Sequence, residues 1–242
     1  MKFTVKLADK LISMNCIHSE LTTFFKDYLV DDQNSDISLT WTDSDILAEQ
    51  DMTEETECSL PYLETLTALR KIAEVFPLYN RFLMHGASIA YAEKGYLFTA
   101  PSGTGKTTHI RLWNQYLNNV KIINGDKPFL SLENEPYIYG SPWAGKEGWQ
   151  KNHSFPLAGI CFVQRGTRNK IRRLQSSECL ALLFNQIYIP VEPVAAGKTL
   201  ELVDTLLQKV PVWLLECDIS EDAVRCSFET MTGLTYNEHK RR

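Results

Sequence analysis

The segment from residue 96 to residue 117 constrains the fold more than any other part of the chain. Residues 96–100 are an apolar run, residues 102–108 read Ser-Gly-Thr-Gly-Lys-Thr-Thr, and helical periodicity follows to residue 117. Small residues at Gly103 and Gly105 let backbone N–H groups close around phosphate oxygens, and a helix that begins here adds donors and the positive end of its dipole. A strand, this loop and a helix in succession are typical of a phosphate-binding loop.

The residue types in this loop suit a nucleotide. Lys106 supplies a point charge to the phosphates, and Thr107 offers a hydroxyl to Mg²⁺. Ala100 stands where the strict pattern has its first glycine, and alanine is the smallest replacement if φ there is negative. The sequence therefore predicts a nucleotide site. The residues expected to contact the nucleotide are Ser102, Gly103, Thr104, Gly105, Lys106, Thr107 and Thr108.

Hydrophobic periodicity divides the chain into two parts. Alternation predicts strands at 3–7 and 37–41, and apolar residues three and four apart predict a helix over 62–76. The stretch 42–57 has no sustained period and is predicted to be a loop. From residue 84 onward, strands alternate with helices, which favours an α/β core. We predict an α/β fold, in which a P-loop-containing core with a mixed sheet (78–242) follows a small α+β N-terminal module (1–77).

The second part has a definite order of predicted elements. Its hairpins, strands and helices are expected at 87–100 (hairpin), 120–123 (strand), 129–139 (hairpin), 157–163 (strand), 177–186 (helix), 199–210 (helix), 211–217 (strand) and 221–231 (helix).

The composition is that of an ordinary globular chain, with 44% apolar and 23% charged residues among 242. The longest apolar run, 180–191, is interrupted by polar residues and proline, so no bilayer-spanning segment is expected. No apolar run follows the lysines at the N-terminus, which argues against a signal peptide. The six cysteines show neither a C-x-x-C pattern nor histidines at metal spacing. Reduced thiols and a cytoplasmic location are predicted.

The net charge of −5 conceals two regions of opposite sign. Residues 27–57 contain eleven acids and no Lys or Arg, whereas residues 94–173 contain twelve bases and four acids. The phosphate loop lies inside the basic region, whose positive charge would attract the negative phosphates of a nucleotide. The acids at 43–57 are interpreted as a solubilising surface, or as a surface for a basic partner or leader peptide.

The order of motifs around the loop resembles a known family. His85-Gly86, a strand, a short hairpin, the loop, and then Asp126 after the next strand resemble the catalytic core of HPr serine kinase/phosphorylase. The loop spelling is also similar to that of ATP-dependent phosphoenolpyruvate carboxykinase. Smaller HPr-kinase-like proteins that phosphorylate serine in ribosomally made peptide precursors are similar in size. The resemblance implies an ATP- and Mg²⁺-dependent kinase that transfers the γ-phosphate to a hydroxyl, expected to be a serine of a protein or peptide.

The resemblance also assigns roles to individual residues. Lys106 matches the phosphate lysine, and Thr107 and Asp126 match the metal-binding positions. Asp126 also matches the acid that takes the proton from the acceptor hydroxyl, and His85 the histidine near the transferred phosphate. The family has two adjacent acids where this chain has Gly125-Asp126, so one carboxylate serves both jobs or one job is missing. The glycine-rich signature of the phosphorylase members is absent, so reverse phosphorolysis is not expected.

Two further features fall in the basic region. The stretch 140–149 carries three glycines, Lys146, Trp143 and Trp149. It is predicted to be a mobile loop that could close over the phosphates, with Lys146 on the cofactor; the alternative is a turn whose tryptophans fill the core. One of four arginines could neutralise charge on the transferring phosphoryl group. These arginines are Arg165, Arg168, Arg172 and Arg173.

The sequence leaves other functions open. A carboxykinase-like reaction on a small oxo-acid fits the loop spelling. A non-catalytic nucleotide-binding partner of a peptide-modifying enzyme fits Ala100 and Gly125. No zinc pattern, nucleophilic triad or nucleic-acid motif competes with these interpretations. A homo-oligomer is compatible with the sequence.

Overall fold

A computed structural model describes residues 1–32, 34–53 and 57–241. The N-terminal part has a three-stranded sheet in the order β1-β2-β3, covered by helices. β1 and β2 pair antiparallel, and β2 and β3 pair parallel. The elements of this part are β1 (Lys2–Leu7), β2 (Lys10–Asn15), α1 (Glu20–Phe24), β3 (Ile37–Thr40), α2 (Asp43–Ala48), a 3-10 turn (Gln50–Met52) and α3 (Leu60–Val75).

The rest of the chain is built on a larger mixed sheet. Within the described residues it has nine strands, seven of them in the order β4-β8-β9-β10-β6-β5-β7, with β12 beside β10 and β11 beside β12. Its elements are a 3-10 turn (Phe76–Tyr79), β4 (Arg81–Leu83), β5 (Ala87–Tyr91), β6 (Lys94–Thr99), α4 (Lys106–Tyr116), β7 (Lys121–Asn124), β8 (Phe129–Ser131), β9 (Tyr137–Tyr139), β10 (Ser154–Arg165), β11 (Lys170–Arg173), α5 (Ser176–Phe184), α6 (Pro193–Lys209), β12 (Val212–Cys217), α7 (Glu221–Thr232) and α8 (Tyr236–His239).

Strand directions bring three separate segments to one edge of this sheet. β5 runs antiparallel to β6, with Ala87 opposite Phe98, and β7 runs antiparallel to β5, with Asn124 opposite Ser88. The start of β5, the end of β6 and the end of β7 therefore lie side by side. This arrangement places the residues before β5, the loop after β6 and the turn after β7 together.

The mixed α/β class is confirmed, and so are the expected hairpins at β5–β6 and β8–β9. The expectation of a loop over 42–57 is wrong where the structure describes it, because α2 and a 3-10 turn lie there; residues 54–56 fall outside the described part. A capping box starts α2: the Thr42 side chain accepts from the Asp45 N–H, and the Asp45 carboxylate accepts from the Thr42 N–H. The sequence did not reveal the short elements β2, α1, β4 and β11.

Residues from both parts share one hydrophobic core. Phe129 and Trp143 are buried among the apolar residues of the N-terminal sheet and helices. The indole N–H of Trp143 donates to the Thr65 carbonyl of α3 at 3.0 Å, and its ring packs edge-on against Phe24 and Phe25. Trp143 therefore fills the core, as the alternative interpretation of the 140–149 stretch predicted for this residue. The division at residue 77 stays a prediction.

Across the described ranges, no helix combines the length and the apolar character needed to cross a membrane.

Candidate functional site

The loop between β6 and α4 has the backbone shape that its glycines allow. Gly103 and Gly105 have φ of +74° and +123°, a region that residues with a Cβ rarely enter. Ala100 is buried and is not among the described residues with positive φ, so alanine is accommodated there. Gly105 is the N-cap of α4, which places Lys106, Thr107 and Thr108 in the first helical turn. Their N–H groups and the helix dipole suit an anion.

Lys106 is folded against its own loop. Its side chain is buried, and Nζ donates to the Ala100 carbonyl at 2.9 Å. Burial lowers the pKa of Lys106 below its usual value; the charge of Asp126 opposes this shift, and that of Lys127 adds to it. The mutual influence of Lys106 and Asp126 shows that the loop and the turn after β7 share one electrostatic environment.

His85 and Asp126, which the resemblance assigned to catalysis, are in contact. Nε2 of His85 lies 3.2 Å from Oδ1 of Asp126, and Nζ of Lys127 lies 3.7 Å from Oδ2. Burial alone would raise the pKa of the Asp126 carboxyl, but the His85 hydrogen bond and the neighbouring positive charges outweigh it, so the pKa is lowered. Asp126 is therefore ionised at neutral pH and can accept a proton or bind a cation.

The turn that carries Asp126 is held by Asn124. The Asn124 side chain is fully buried; its Oδ1 accepts from the N–H groups of Asp126 (2.8 Å) and Lys127 (2.7 Å), and its Nδ2 donates to the Ser141 carbonyl at 2.9 Å. A Cβ on Gly125 would lie 2.5 Å from the backbone carbonyl oxygen of Ala144. The packing therefore leaves no room for the second acid that the resembling family has at this position.

Gln186, which the sequence did not single out, contacts the ring nitrogen of His85 that does not face Asp126. Nδ1 of His85 lies 3.0 Å from Oε1 of Gln186, an oxygen that accepts a hydrogen bond. The Asp126 carboxylate also only accepts, so the 3.2 Å contact between Nε2 and Oδ1 requires a proton on Nε2. The Thr99 hydroxyl donates to the His85 carbonyl at 2.7 Å. Gln186 and Asp126 thus fix the orientation of the imidazole ring from its two sides.

The four candidate arginines lie in different places in the structure and have different partners. Arg165, the last residue of β10, donates from Nη2 to the Gly103 carbonyl (2.5 Å) and from Nε to the Thr104 carbonyl (3.3 Å). Arg172 pairs with Glu178, and Arg173 stacks over Trp213, both on the β11 side of the sheet. Arg168 is exposed in the turn between β10 and β11. Only Arg165 among the four touches the loop.

The 140–149 stretch borders the same site through its backbone. A Cβ built on Gly145 would lie 3.2 Å from the Asp126 Cβ, so this stretch packs against the catalytic candidate. Lys146 is exposed and lines a cleft together with Asp126. Trp149 is half-buried, with the Arg111 guanidinium 5.6 Å from its ring. Lys146 and Asp126 thus share a cleft, and the contact of Lys146 with the cofactor stays a prediction.

Two cavities open on either side of the phosphate loop. One, of about 880 Å³, is lined by Ser102, His85, Asp126, Lys127 and Lys146 and extends to α3; we call it the α3 cleft. The other, of about 600 Å³, is bordered by Gly103–Gly105 and we call it the α4 pocket. The other walls of the α4 pocket include Leu112, Val163, Arg165 and the largely exposed Ile219. The loop therefore separates a charged cleft from a mainly apolar pocket.

The residues present fit a Mg²⁺ ion that is bound together with phosphates. Among the described residues, no cluster of three or more His, Cys, Asp or Glu side chains could hold a metal. Mg²⁺ in phosphoryl-transfer sites needs one or two carboxylates, with phosphate oxygens and water as the other ligands. Asp126 and the Thr107 hydroxyl match that smaller requirement.

Comparison with known proteins gives only a distant likeness. The sequence matches no known protein-family profile. It matches no curated protein either. A solved structure, the HPr(Ser) kinase/phosphatase from Coxiella burnetii, is similar over 64% of this chain and 94% of that chain, at 14% sequence identity and a TM-score of 0.36. A likeness with this TM-score supports no conclusion about function, which depends on the site itself.

Proposed function

We propose that this chain is an ATP-dependent kinase that transfers the γ-phosphate to the hydroxyl of a serine in a protein or peptide. The observation that carries the proposal is the position of the phosphate loop between the two cavities, with the His85–Asp126 pair at the mouth of the α3 cleft. A nucleoside in the α4 pocket would extend its phosphates across the loop and present the terminal one to the α3 cleft.

The nucleotide would be held by complementary charge and shape. The base would lie against Leu112 and Ile219, with the Arg165 guanidinium at its edge. Loop N–H groups and Lys106 would bind the phosphates, and Lys106 would exchange its bond to Ala100 for one to a phosphate oxygen. Lys146 would add a second positive charge from the opposite side of the cleft.

Asp126 would position and deprotonate the acceptor serine. Its ionised carboxylate can accept the hydroxyl proton, and the hydrogen bond from His85 fixes its orientation. Mg²⁺ held by Thr107, Asp126 and the phosphates would neutralise charge on the transferring group. Gly125 stands where the resembling family has a second acid, so Asp126 would serve as both metal ligand and proton acceptor.

The test incubates the protein with γ-labelled ATP, Mg²⁺ and serine-containing acceptors, HPr included. We expect label on an acceptor with the native chain, none with Lys106→Ala, and normal ATP binding without transfer for Asp126→Asn. Full transfer by Asp126→Asn would contradict the assigned role of the carboxylate. ATP binding without transfer to any acceptor would instead identify a nucleotide-binding partner protein.

A further inference from the structure

We propose that the α3 cleft binds the acceptor as an extended peptide, and that helix α3 selects a large apolar side chain close to the phosphorylated serine. The inference rests on the proposed phosphotransfer at Asp126 and adds the class of acceptor. It also gives the N-terminal part of the chain a function, because α3 belongs to that part.

The cleft continues from the catalytic candidates to the surface of α3. His85 and Asp126 line one end, and Tyr62, Leu66 and Leu69 of α3 line the other. An acceptor whose hydroxyl reaches Asp126 therefore has its neighbouring groups beside α3. The volume of about 880 Å³ lies in the range that is usual for ligand-binding clefts.

The wall formed by α3 presents apolar surface to the cleft. The Tyr62 side chain is 42% exposed, and Leu66 and Leu69 are half-buried on the same helix. Leu83 and Ile187 extend this surface along the side of the cleft. Covering such surface with an apolar side chain is favourable by about 25 cal/mol per Å².

Among the described residues, the charged side chains that line the cleft beside α3 are paired with each other. The Arg70 guanidinium binds the buried Glu49 carboxylate through two hydrogen bonds, of 2.6 and 2.9 Å. A charged acceptor residue placed here would compete with one member of this pair for the other, which favours an apolar contact.

The remaining walls favour a peptide over an alkyl alcohol. Asn185, Gln186 and Lys127 also line the cleft, and the last two lie beside His85 and Asp126. A hydrocarbon chain would cover these polar groups without satisfying them, at a free-energy cost. The N–H and C=O groups of an extended peptide can pair with them while its side chains reach α3.

The first arm of the test measures binding without transfer. A set of fluorescent peptides has alanine in place of the acceptor serine and either Leu or Asp at each of the four positions on both sides. Fluorescence anisotropy with the full chain and Mg-ADP should show at least one Leu peptide binding about tenfold more tightly than its Asp counterpart. Tyr62→Ala and Leu66→Gln should each remove most of this ratio. Leu60→Ala is the matched control, because Leu60 is 45% exposed on α3 and does not line the cleft.

The second arm restores the serine and measures transfer from γ-labelled ATP. Equal binding of Leu and Asp peptides, tighter binding of the Asp peptides, or a Leu preference that survives both cleft variants would overturn the inference. A Leu preference that depends on Tyr62 without any transfer of label would support the cleft assignment and reject the kinase proposal. Transfer of label that requires Lys106 but does not depend on the flanking residue would support the kinase proposal and reject the cleft assignment.

Discussion

Asp126 depends on residues that lie far from it in the sequence. Gln186 reaches His85 across 101 positions and holds the imidazole ring that faces the carboxylate. No local pattern marks such a residue, since the strand order alone brings it to the site. The sequence could propose His85 and Asp126 because a family resemblance covers them, but the partner that orients them is visible only in the fold.

Gln186→Glu tests that dependence. A carboxylate beside Nδ1 places the His85 ring between two anionic acceptors, so both ring nitrogens would carry a proton, and the positive charge would make Asp126 a weaker base. We expect phosphotransfer to fall by about 10- to 100-fold, and ¹⁵N NMR of His85 to show both ring nitrogens protonated at neutral pH. Gln115→Glu is the control, because it makes the same substitution at an exposed residue that lines neither cavity. An unchanged ring spectrum in Gln186→Glu would contradict the assignment.

Arg165 offers a second prediction at the same scale. Its guanidinium binds two loop carbonyls, so Arg165→Ala should loosen the loop and weaken ATP binding by about tenfold. Arg172→Ala removes an equal charge that pairs with Glu178 instead, and its ATP affinity should match that of the native chain. Isothermal titration with Mg-ATP compares the three proteins. Equal losses in both variants would mean that net charge, rather than this contact, governs affinity.

At the scale of elements, the sequence predicted the helices and strands with a strong hydrophobic pattern and missed the short polar ones. The two apolar runs on either side of Glu93-Lys94-Gly95 predicted the β5–β6 hairpin, and the glycine-rich loop predicted the start of α4. Helix α2 was missed because only Ile46 is buried in it, so it carries no apolar stripe; its one local signal is the Thr42-to-Asp45 capping box. β2 was missed because Ala8 and Asp9, which turn the chain from β1 into β2 at positive φ, lack the glycine that usually marks such a turn. β4 was missed because it is short and pairs with β8, which is distant in the sequence.

The turn after β7 gives a prediction about Gly125, which stands where the resembling family has a second acid. A side chain at Gly125 would meet the Ala144 carbonyl, so Gly125→Ala should lower the free energy of unfolding by about 1–3 kcal/mol. Gly197→Ala, within α6 and free of neighbours, should raise it by about 0.5–1 kcal/mol. Urea denaturation measures both variants. If Gly125→Asp is as stable as the native chain and increases transfer, packing is not the reason that this chain has a single acid.

At the scale of the whole molecule, the sequence predicted two parts but not how closely they are joined. Arg81, at the start of β4, is buried and donates to the Ala8 carbonyl at 2.5 Å. Tyr139 donates to Asp9 at 2.7 Å, and Trp143 lies in the N-terminal core. Contacts across so many positions leave no periodic signal. A composition shift near residue 77 therefore looks like a boundary even where both sides share apolar packing.

Trp143 tests whether this shared core makes folding cooperative. Trp143→Ala removes a buried ring that packs against Phe24, Phe25 and Phe129, together with the hydrogen bond to Thr65. We expect a loss of about 3–5 kcal/mol in the free energy of unfolding, and a single transition in the native chain. Trp149→Ala is the control; its half-buried ring should cost clearly less. Urea unfolding followed by far-UV circular dichroism and by a dye near Tyr62 should give coincident curves. Separate transitions in the native protein would show that the N-terminal part folds alone, and the α3 cleft would then lie between independently stable units.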